Sequence, residues 1–119
     1  MKPNKPKKVE KPWGYEIWLA NNSDYNYCGK ILHINEGHSS SMHFHGNKHE
    51  TFYILSGGLR VDYINTENAV LQSVVLGEGD TLEIDRLQPH KLIPLGNSGV
   101  DIIEVSTLHE DEDSKRIFL

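Results

Sequence analysis

Short strand-like segments separated by turn residues fill this sequence, and no other feature of it restricts the possible folds as much. Apolar and polar residues alternate in short runs, a period of two that is typical of half-buried β-strands. Breaks rich in glycine and asparagine, such as Gly57-Gly58 and residues 96–99, separate the runs. Nine segments are predicted to be strands: Tyr15–Ala20, Tyr27–Ile34, Ser41–His45, Glu50–Leu55, Leu59–Asn65, Val70–Leu76, Thr81–Ile84, His90–Leu95 and Val100–Ser106.

This pattern predicts an all-β protein, because no helical periodicity extends beyond about two turns. A single sheet of so many strands would leave one face uncovered, so we expect a sandwich or barrel. A chain of 119 residues has room for one domain. We predict that residues 1–12, with three prolines and five lysines, form a disordered tail and that residues 13–119 form the domain.

Charge and composition exclude several function classes. Residues 1–12 carry five lysines and one acid, whereas the remainder carries seven basic and sixteen acidic residues. Such an acidic body lacks the basic face that nucleic-acid binding needs. No apolar run reaches the roughly 20 residues of a membrane span, and the start has no secretory signal pattern. The single cysteine, Cys28, fits a reducing compartment, so we expect a cytoplasmic domain.

A histidine cluster in residues 37–57 is the main candidate functional site. His43 and His45 are two residues apart, so both side chains leave the same face of a strand. The short turn Gly46-Asn47-Lys48 would bring the next strand back and place Glu50 near the pair. Imidazole and carboxylate together suit zinc, iron, manganese, nickel or copper, and the ligand types alone do not identify the metal.

The alternative is that surface histidines happen to cluster in a polar loop. Glu50 argues against it, because this residue opens an apolar strand and shares the inward face with Phe52 and Ile54. A carboxylate on such a face costs several kcal/mol unless a cation or a hydrogen-bond network compensates. We therefore interpret the cluster as a metal site, to which the two imidazoles contribute half of the ligands and Glu50 a third, anionic one.

This segment resembles the first motif of the cupin superfamily. Gly37, His43, His45, Glu50 and Gly57 match its residue types and spacing without a gap. The second cupin motif resembles Gly79 followed by His90, with Asp85, Leu87 and Pro94 replacing its proline, glycine and asparagine. The resemblance covers roughly residues 13–108 and implies a double-stranded β-helix, the jelly-roll barrel. It also implies one divalent transition metal (Zn, Mn, Fe or Ni), held by His43, His45, Glu50 and His90.

A narrower resemblance points to the mannose-6-phosphate isomerase type II domain. The run Lys11-Pro12-Trp13-Gly14 is similar to the entry of that domain, and Glu104-Val105-Ser106 with the acidic residues that follow is similar to its end. This resemblance implies an isomerase of a sugar or sugar phosphate that acts through a metal-stabilised ene-diolate. The resemblance therefore also implies that the protein's partner is a small-molecule substrate, a carbohydrate.

The isomerase hypothesis needs a base and, for a phosphorylated substrate, a cationic group. Glu50, His49 and Tyr63 are candidate bases, and the residues do not decide between them. Lys48, Arg60 and Lys91 are candidate substrate-binding groups, with Arg86 a further basic residue. Two alternatives stay open: a metal-dependent dioxygenase or other oxidoreductase, whose site should be mostly apolar, and a non-catalytic cupin that binds a sugar or small acid.

The other histidines and the assembly complete the predictions. We interpret His33 and His38 as structural or exposed and His109 as solvated. We also expect a homodimer, because a short chain gains stability by pairing and an early strand around residues 13–20 could join a neighbour's sheet edge.

Overall fold

Eleven strands and one short 3-10 turn form the part of the chain that the structure, a computed structural model, describes, residues 1–117. The strands, in chain order, are β1 (Lys7–Lys11), β2 (Gly14–Asn22), β3 (Tyr27–Ile34), β4 (His43–His45), β5 (Glu50–Ser56), β6 (Gly58–Ile64), β7 (Leu71–Leu76), β8 (Thr81–Ile84), β9 (His90–Leu95), β10 (Val100–Ser106) and β11 (Ser114–Arg116). The 3-10 turn, Asp111–Asp113, immediately precedes β11.

These strands form two antiparallel sheets. The first has six strands in the order β1-β2-β3-β10-β5-β8, and the second has five in the order β11-β4-β9-β6-β7. Alternate residues of both sheets turn inward and pack into one apolar core, which includes Ile34, Ile54, Leu59 and Ile102. The predicted all-β, jelly-roll architecture is confirmed. Among the described residues, no helix is long and apolar enough to cross a membrane.

All nine predicted strands are present, and four of them have the predicted bounds: β3, β8, β9 and β10. The turn between β5 and β6 shows why the motif needs a glycine. Gly57 has a φ of +83°, and a Cβ atom there would collide with the carbonyl oxygen of Gly99. A larger residue is excluded both by this backbone conformation and by the close approach.

The N-terminal segment differs from our expectation, because Lys7–Lys11 forms strand β1 instead of part of a disordered tail. β1 pairs along its whole length with β2. Its lysines lie over aromatic rings of β2, with Lys7 Nζ 5.0 Å from the centre of Trp18 and Lys8 Nζ 4.5 Å from the centre of Tyr15. These cation–π contacts replace the apolar alternation by which we identified the other strands. Consequently β2 is flanked on both sides and is not a free edge for a neighbouring chain.

Candidate metal centre and its cavity

The five-stranded sheet brings the predicted ligands together. His43 and His45 leave the same face of β4, and His43 is paired in register with His90 of β9. One ring nitrogen from each of His43, His45 and His90 lies within 4.8 Å of the others. Glu50, the first residue of β5 in the opposite sheet, completes the group from across the barrel.

The carboxylate of Glu50 points at the imidazole rings. Its Oε2 lies 3.3 Å from His90 Nε2 and 3.6 Å from His45 Nε2. Glu50 is 2% exposed and His90 1% exposed, so bulk water does not solvate them. The four residues named by the motif resemblance therefore converge on one buried point.

Backbone carbonyls orient two of the rings. His43 Nδ1 lies 2.9 Å from the carbonyl oxygen of Ser41, and His90 Nδ1 lies 2.9 Å from that of Gln88. A neutral ring that donates from Nδ1 to a carbonyl presents an unprotonated Nε2, the form that binds a metal. The chain thus fixes the rings of His43 and His90 with a lone pair available.

Glu50 Oε2 provides the test of whether a cation fits here. Within residues 1–117, this buried oxygen has no hydrogen-bond partner, and neither has His45 Nδ1. An unsatisfied buried carboxylate oxygen facing ring nitrogens costs several kcal/mol unless a positive charge lies between them. The donor set of three imidazoles and one carboxylate fits a divalent transition metal.

The fold suppresses proton binding to three of these residues, His43, His45 and Glu50. Burial, with a further contribution from His90, lowers the pKa of His43 to about 4. Burial also lowers the pKa of His45 to about 3, although Glu50 opposes the shift. Burial alone would raise the pKa of Glu50, but His90 and Lys48 outweigh it and hold that pKa below its ordinary value. At neutral pH His43 and His45 are therefore neutral and Glu50 is ionised.

Three of the four candidate ligands, His43, His45 and Glu50, line a cavity of about 680 Å³. Small-molecule sites commonly have volumes of roughly 300–1,000 Å³, so this cavity can hold a substrate. Charged residues and serines outnumber apolar residues in its wall. The polar lining residues are Lys11, Glu16, Lys30, Ser39, Ser40, Ser41, His43, His45, Lys48, Glu50, Glu104, His109, Asp111, Ser114 and Arg116.

Two buried ion pairs form much of this wall. Lys48 Nζ lies 2.6 Å from Glu104 Oε2 and 3.6 Å from Glu50 Oε1. Burial opposes the charge of Lys48, but Glu104 and Glu50 outweigh it and raise its pKa. The second pair, Lys30 and Glu16, is 3.3 Å apart, and Glu16 also accepts a hydrogen bond from the indole of Trp18. Lys48 and Glu104 therefore place a proton donor and a carboxylate side by side, next to the candidate ligand Glu50.

Several cavity residues were not predicted as site residues, among them Lys30, Glu104 and His109. Lys30 and Glu104 were not singled out, although each occupies an inward position of its strand, as Leu32 and Ile102 do. A charged residue on an apolar face was the signal that identified Glu50, and the same test would have found them. His109, predicted to be solvated, instead lines the cavity and lies 3.2 Å from Lys48 Nζ through Nδ1.

Two of the other predicted site residues lie away from the cavity. His49 turns to the opposite face of β5 from Glu50, and its Nε2 lies 3.0 Å from Glu83 and 3.3 Å from Asp85. Tyr63 is paired in register with His90 but lines a separate apolar pocket of about 250 Å³, which His90 also lines. Neither side chain lines the cavity, so neither is placed as a base for a molecule bound there.

The predicted substrate-binding residues separate in the same way. Lys48 is buried in the cavity wall. Arg60 and Lys91 lie on the outer face of the five-stranded sheet, where both are close to Asp62: Arg60 Nε is 3.0 Å from it and Lys91 is its cross-strand partner. Side chains on the outer face of a sheet do not reach the interior of the barrel.

The turn before β9 reflects the departures from the second motif. Leu87, which replaces the motif's glycine, has a φ of +67°. This left-handed conformation is strained for a leucine, which explains why a glycine is favoured there. The turn is nevertheless held, because the N–H of Leu87 donates a 2.7 Å hydrogen bond to the carbonyl of His45. His90 consequently reaches the other ligands despite the altered motif.

Asp113 supports the centre from the C-terminal segment. Its two carboxylate oxygens accept hydrogen bonds from the N–H groups of Asn47 (2.8 Å) and Lys48 (3.0 Å), and Oδ2 lies 4.0 Å from His45 Nδ1. Asp113 therefore holds the turn between His45 and Glu50, and it is the carboxylate that faces the outer nitrogen of His45.

Replacing Asp113 with alanine is expected to weaken metal binding by about 10- to 100-fold, the usual effect of removing a group that orients a ligand. Competition with a chromophoric zinc chelator would measure the affinity. The matched control is Glu112→Ala, which removes an exposed neighbour from the same 3-10 turn. Equal affinities for Asp113→Ala and Glu112→Ala would contradict this role.

A barrel of two facing sheets with a histidine-rich centre between them defines the class of protein. The chain belongs to the cupin family, since residues 30–106 match the cupin domain. No curated protein sequence matches the chain.

Solved structures show the same fold at low sequence identity. The capsular polysaccharide assembling protein CapF from Staphylococcus aureus is 14% identical with a TM-score of 0.84, over 98% of this chain and 35% of CapF. Oxalate decarboxylase from Bacillus subtilis is 17% identical with a TM-score of 0.80, over 94% of this chain and 30% of the enzyme. A formate complex of the Lactobacillus farciminis oxalate decarboxylase is 18% identical with a TM-score of 0.78, over 94% and 33% of the two chains. The chain spans about a third of the length of these proteins.

Proposed function

We propose that this cupin binds one divalent transition metal on His43, His45, Glu50 and His90 and isomerises a sugar or sugar phosphate in the adjoining cavity. The observation that carries the proposal is Glu50 Oε2, a buried carboxylate oxygen with no donor in residues 1–117, which faces imidazole nitrogens beside an acid–base pair. A divalent cation held there supplies Lewis-acid chemistry, because it polarises a carbonyl and offsets negative charge on oxygen.

Aldose–ketose exchange moves a proton between two neighbouring carbon atoms, so the chain must supply a proton acceptor. Glu50 and Glu104 are the carboxylates available deep in the cavity. Burial raises the pKa of Glu104 above its ordinary value, although Lys48 opposes the shift, and this suits a group that accepts and returns a proton. We assign that role to Glu104, and the donation of a hydrogen bond to a substrate oxygen to Lys48.

The charged wall favours this chemistry over the oxidoreductase alternative. An oxygenase pocket should be mostly apolar, whereas two buried ion pairs line this cavity. The relatives with the same fold support small, oxygen-rich ligands in general, since oxalate decarboxylase is named for a dicarboxylate and CapF for polysaccharide assembly. A non-catalytic cupin that binds such a molecule is the second candidate, and it needs the same cavity without proton transfer.

Isotope exchange separates these candidates. The metal-loaded protein would be incubated in D2O with a panel of aldoses, ketoses and their phosphates, and proton NMR would follow exchange at the carbon atoms next to the carbonyl. An isomerase incorporates deuterium into at least one sugar without consuming oxygen, and Glu104→Gln abolishes the exchange. Binding with no exchange would establish the non-catalytic alternative, and oxygen uptake would favour the oxidoreductase.

We further propose a cytoplasmic homodimer that pairs through the outer face of the six-stranded sheet. Ile17, Ile31, Ile103 and Tyr53 are successive cross-strand neighbours and form an apolar row on that face. Tyr53 is 40% exposed and Val105, near the row, is 57% exposed. An apolar row on a solvent-facing sheet surface is typical of an interface between subunits.

Sedimentation at micromolar concentration is expected to give twice the mass of the chain. Ile103→Glu should produce monomers, because it places a charge in the centre of the apolar row. Val75→Glu, on the other sheet at a residue that is 64% exposed, is the control and should leave the dimer intact. A monomeric wild-type protein would contradict the proposal.

A further inference from the structure

Two of the basic side chains that line the cavity, Lys11 and Arg116, form no ion pair with its carboxylates in the part of the chain that the structure describes. Four basic side chains line the cavity (Lys11, Lys30, Lys48 and Arg116), and so do four carboxylates (Glu16, Glu50, Glu104 and Asp111). Lys30 is paired with Glu16, and Lys48 with Glu104. Asp111 Oδ1 lies within hydrogen-bond distance of His109 Nε2, 2.9 Å away. Within residues 1–117, Lys11 and Arg116 have no carboxylate oxygen within 4.0 Å.

Strand β11 places one of these cations beside the candidate metal ligands. In the pairing of β11 with β4, Arg116 stands opposite His43 and Ser114 stands opposite His45. Directly opposed residues project from the same face of a sheet with Cβ atoms about 4.5–5.5 Å apart. Arg116 and Ser114 therefore point into the cavity next to His43 and His45, whereas Lys115 between them points away.

From this geometry we infer that Arg116, assisted by Ser114 and by Lys11 of the six-stranded sheet, binds the anionic group of the substrate. The inference rests on the proposed function and adds the substrate class: a small polyhydroxylated molecule with a phosphate or carboxylate group. With a divalent cation on Glu50 and the histidines, the cavity has two positive charges in excess, so an anion is favoured over a neutral sugar. Guanidinium is suited to both groups because its N–H donors match the paired oxygens of phosphate and carboxylate.

The Arg116 subsite replaces two of the phosphate-binding residues predicted from the sequence, which lie on the outer face of the barrel and do not reach the cavity. Arg60 and Lys91, predicted from the sequence to bind a phosphate, lie beside Asp62 on the outer face of the five-stranded sheet, where Arg60 forms an ion pair with it. The two terminal strands, β1 and β11, provide basic residues in the cavity wall instead.

Calorimetric titration of the full chain with glucose 6-phosphate, gluconate and glucose tests this subsite. We expect at least one anion to bind roughly 10-fold or more tightly than glucose, since a bond to a charged donor contributes that much. The stronger of the two anions identifies phosphate or carboxylate as the recognised group. Arg116→Gln should remove this preference, whereas Lys115→Gln, on the same strand but facing outward, should retain it.

Three results would overturn the inference: equal binding of all three probes, no binding of either anion, or a preference that survives Arg116→Gln. The metal content of the same samples, measured by elemental analysis, tests the proposed function separately. A metal-free protein that still prefers anions through Arg116 would refute the proposed function and keep the subsite. A metal-loaded protein with no anion preference would refute the Arg116 subsite and leave the proposed metal centre standing.

Discussion

Replacing His43 with alanine is expected to lower the affinity for a divalent metal by at least about 100-fold, because removing a ligand costs more than removing a group that orients one. His43 contributes a ring nitrogen to the group formed with His45 and His90, and the carbonyl of Ser41 holds its ring in the metal-binding form. The affinity would be measured by competition with a chromophoric chelator, and the metal retained after gel filtration by elemental analysis.

His49→Ala is the matched control for this prediction. His49 belongs to the same histidine cluster, but its ring lies on the outer face of the barrel, near Glu83 and Asp85. Its removal should leave the high-affinity metal unchanged. If His43→Ala and His49→Ala retained metal equally, the ion would be bound at the surface and not at the buried centre.

Replacing Glu104 with alanine is expected to lower the free energy of unfolding by about 3–5 kcal/mol, the usual result of removing one partner of a buried ion pair. Glu104 is 3% exposed, and its Oε2 lies 2.6 Å from Lys48 Nζ and 2.9 Å from the hydroxyl of Ser106. The variant leaves the buried ammonium with only the more distant Glu50 as a counter-charge. Urea unfolding of the metal-free protein would measure the change.

Two variants keep this prediction specific. Glu112→Ala removes an exposed carboxylate and should change stability by no more than about 0.5 kcal/mol. The double variant Lys48→Met, Glu104→Leu removes both charges and should recover much of the loss, since apolar pairs of similar size often replace buried ion pairs without cost. A loss for the double variant as large as for Glu104→Ala would show that the ion pair itself was not the cause.

Strand alternation explains how much of the fold was predictable. Strands such as β3 and β10 have an apolar inward face and a polar or mixed outward face, so their bounds follow from a period of two. The candidate ligands were predictable for a related reason. Two histidines at strand spacing and a carboxylate on an apolar face are residue types that the core does not otherwise tolerate.

The remaining features depend on tertiary contacts that leave no periodic pattern. β1 is a lysine-rich edge strand held by the rings of Trp18 and Tyr15, and the three-residue β11 exists because it pairs with β4. Lys30 and Glu104 carry their own signal, charge on an inward position, but their compensating partners come from other strands. Which cations reach the cavity likewise depends on the face of each strand that the assembled barrel turns inward.

Elemental analysis of the protein, purified without chelators or a metal-affinity tag, would show whether the four converging residues hold a metal. We expect close to one divalent transition metal per chain, retained by the wild-type protein and lost from His43→Ala. Less than a tenth of an equivalent, even after reconstitution with zinc, manganese, iron and nickel, would contradict it. In that case the convergence of His43, His45, His90 and Glu50 would be a polar cluster without a metal, and both enzymatic readings would fail with it.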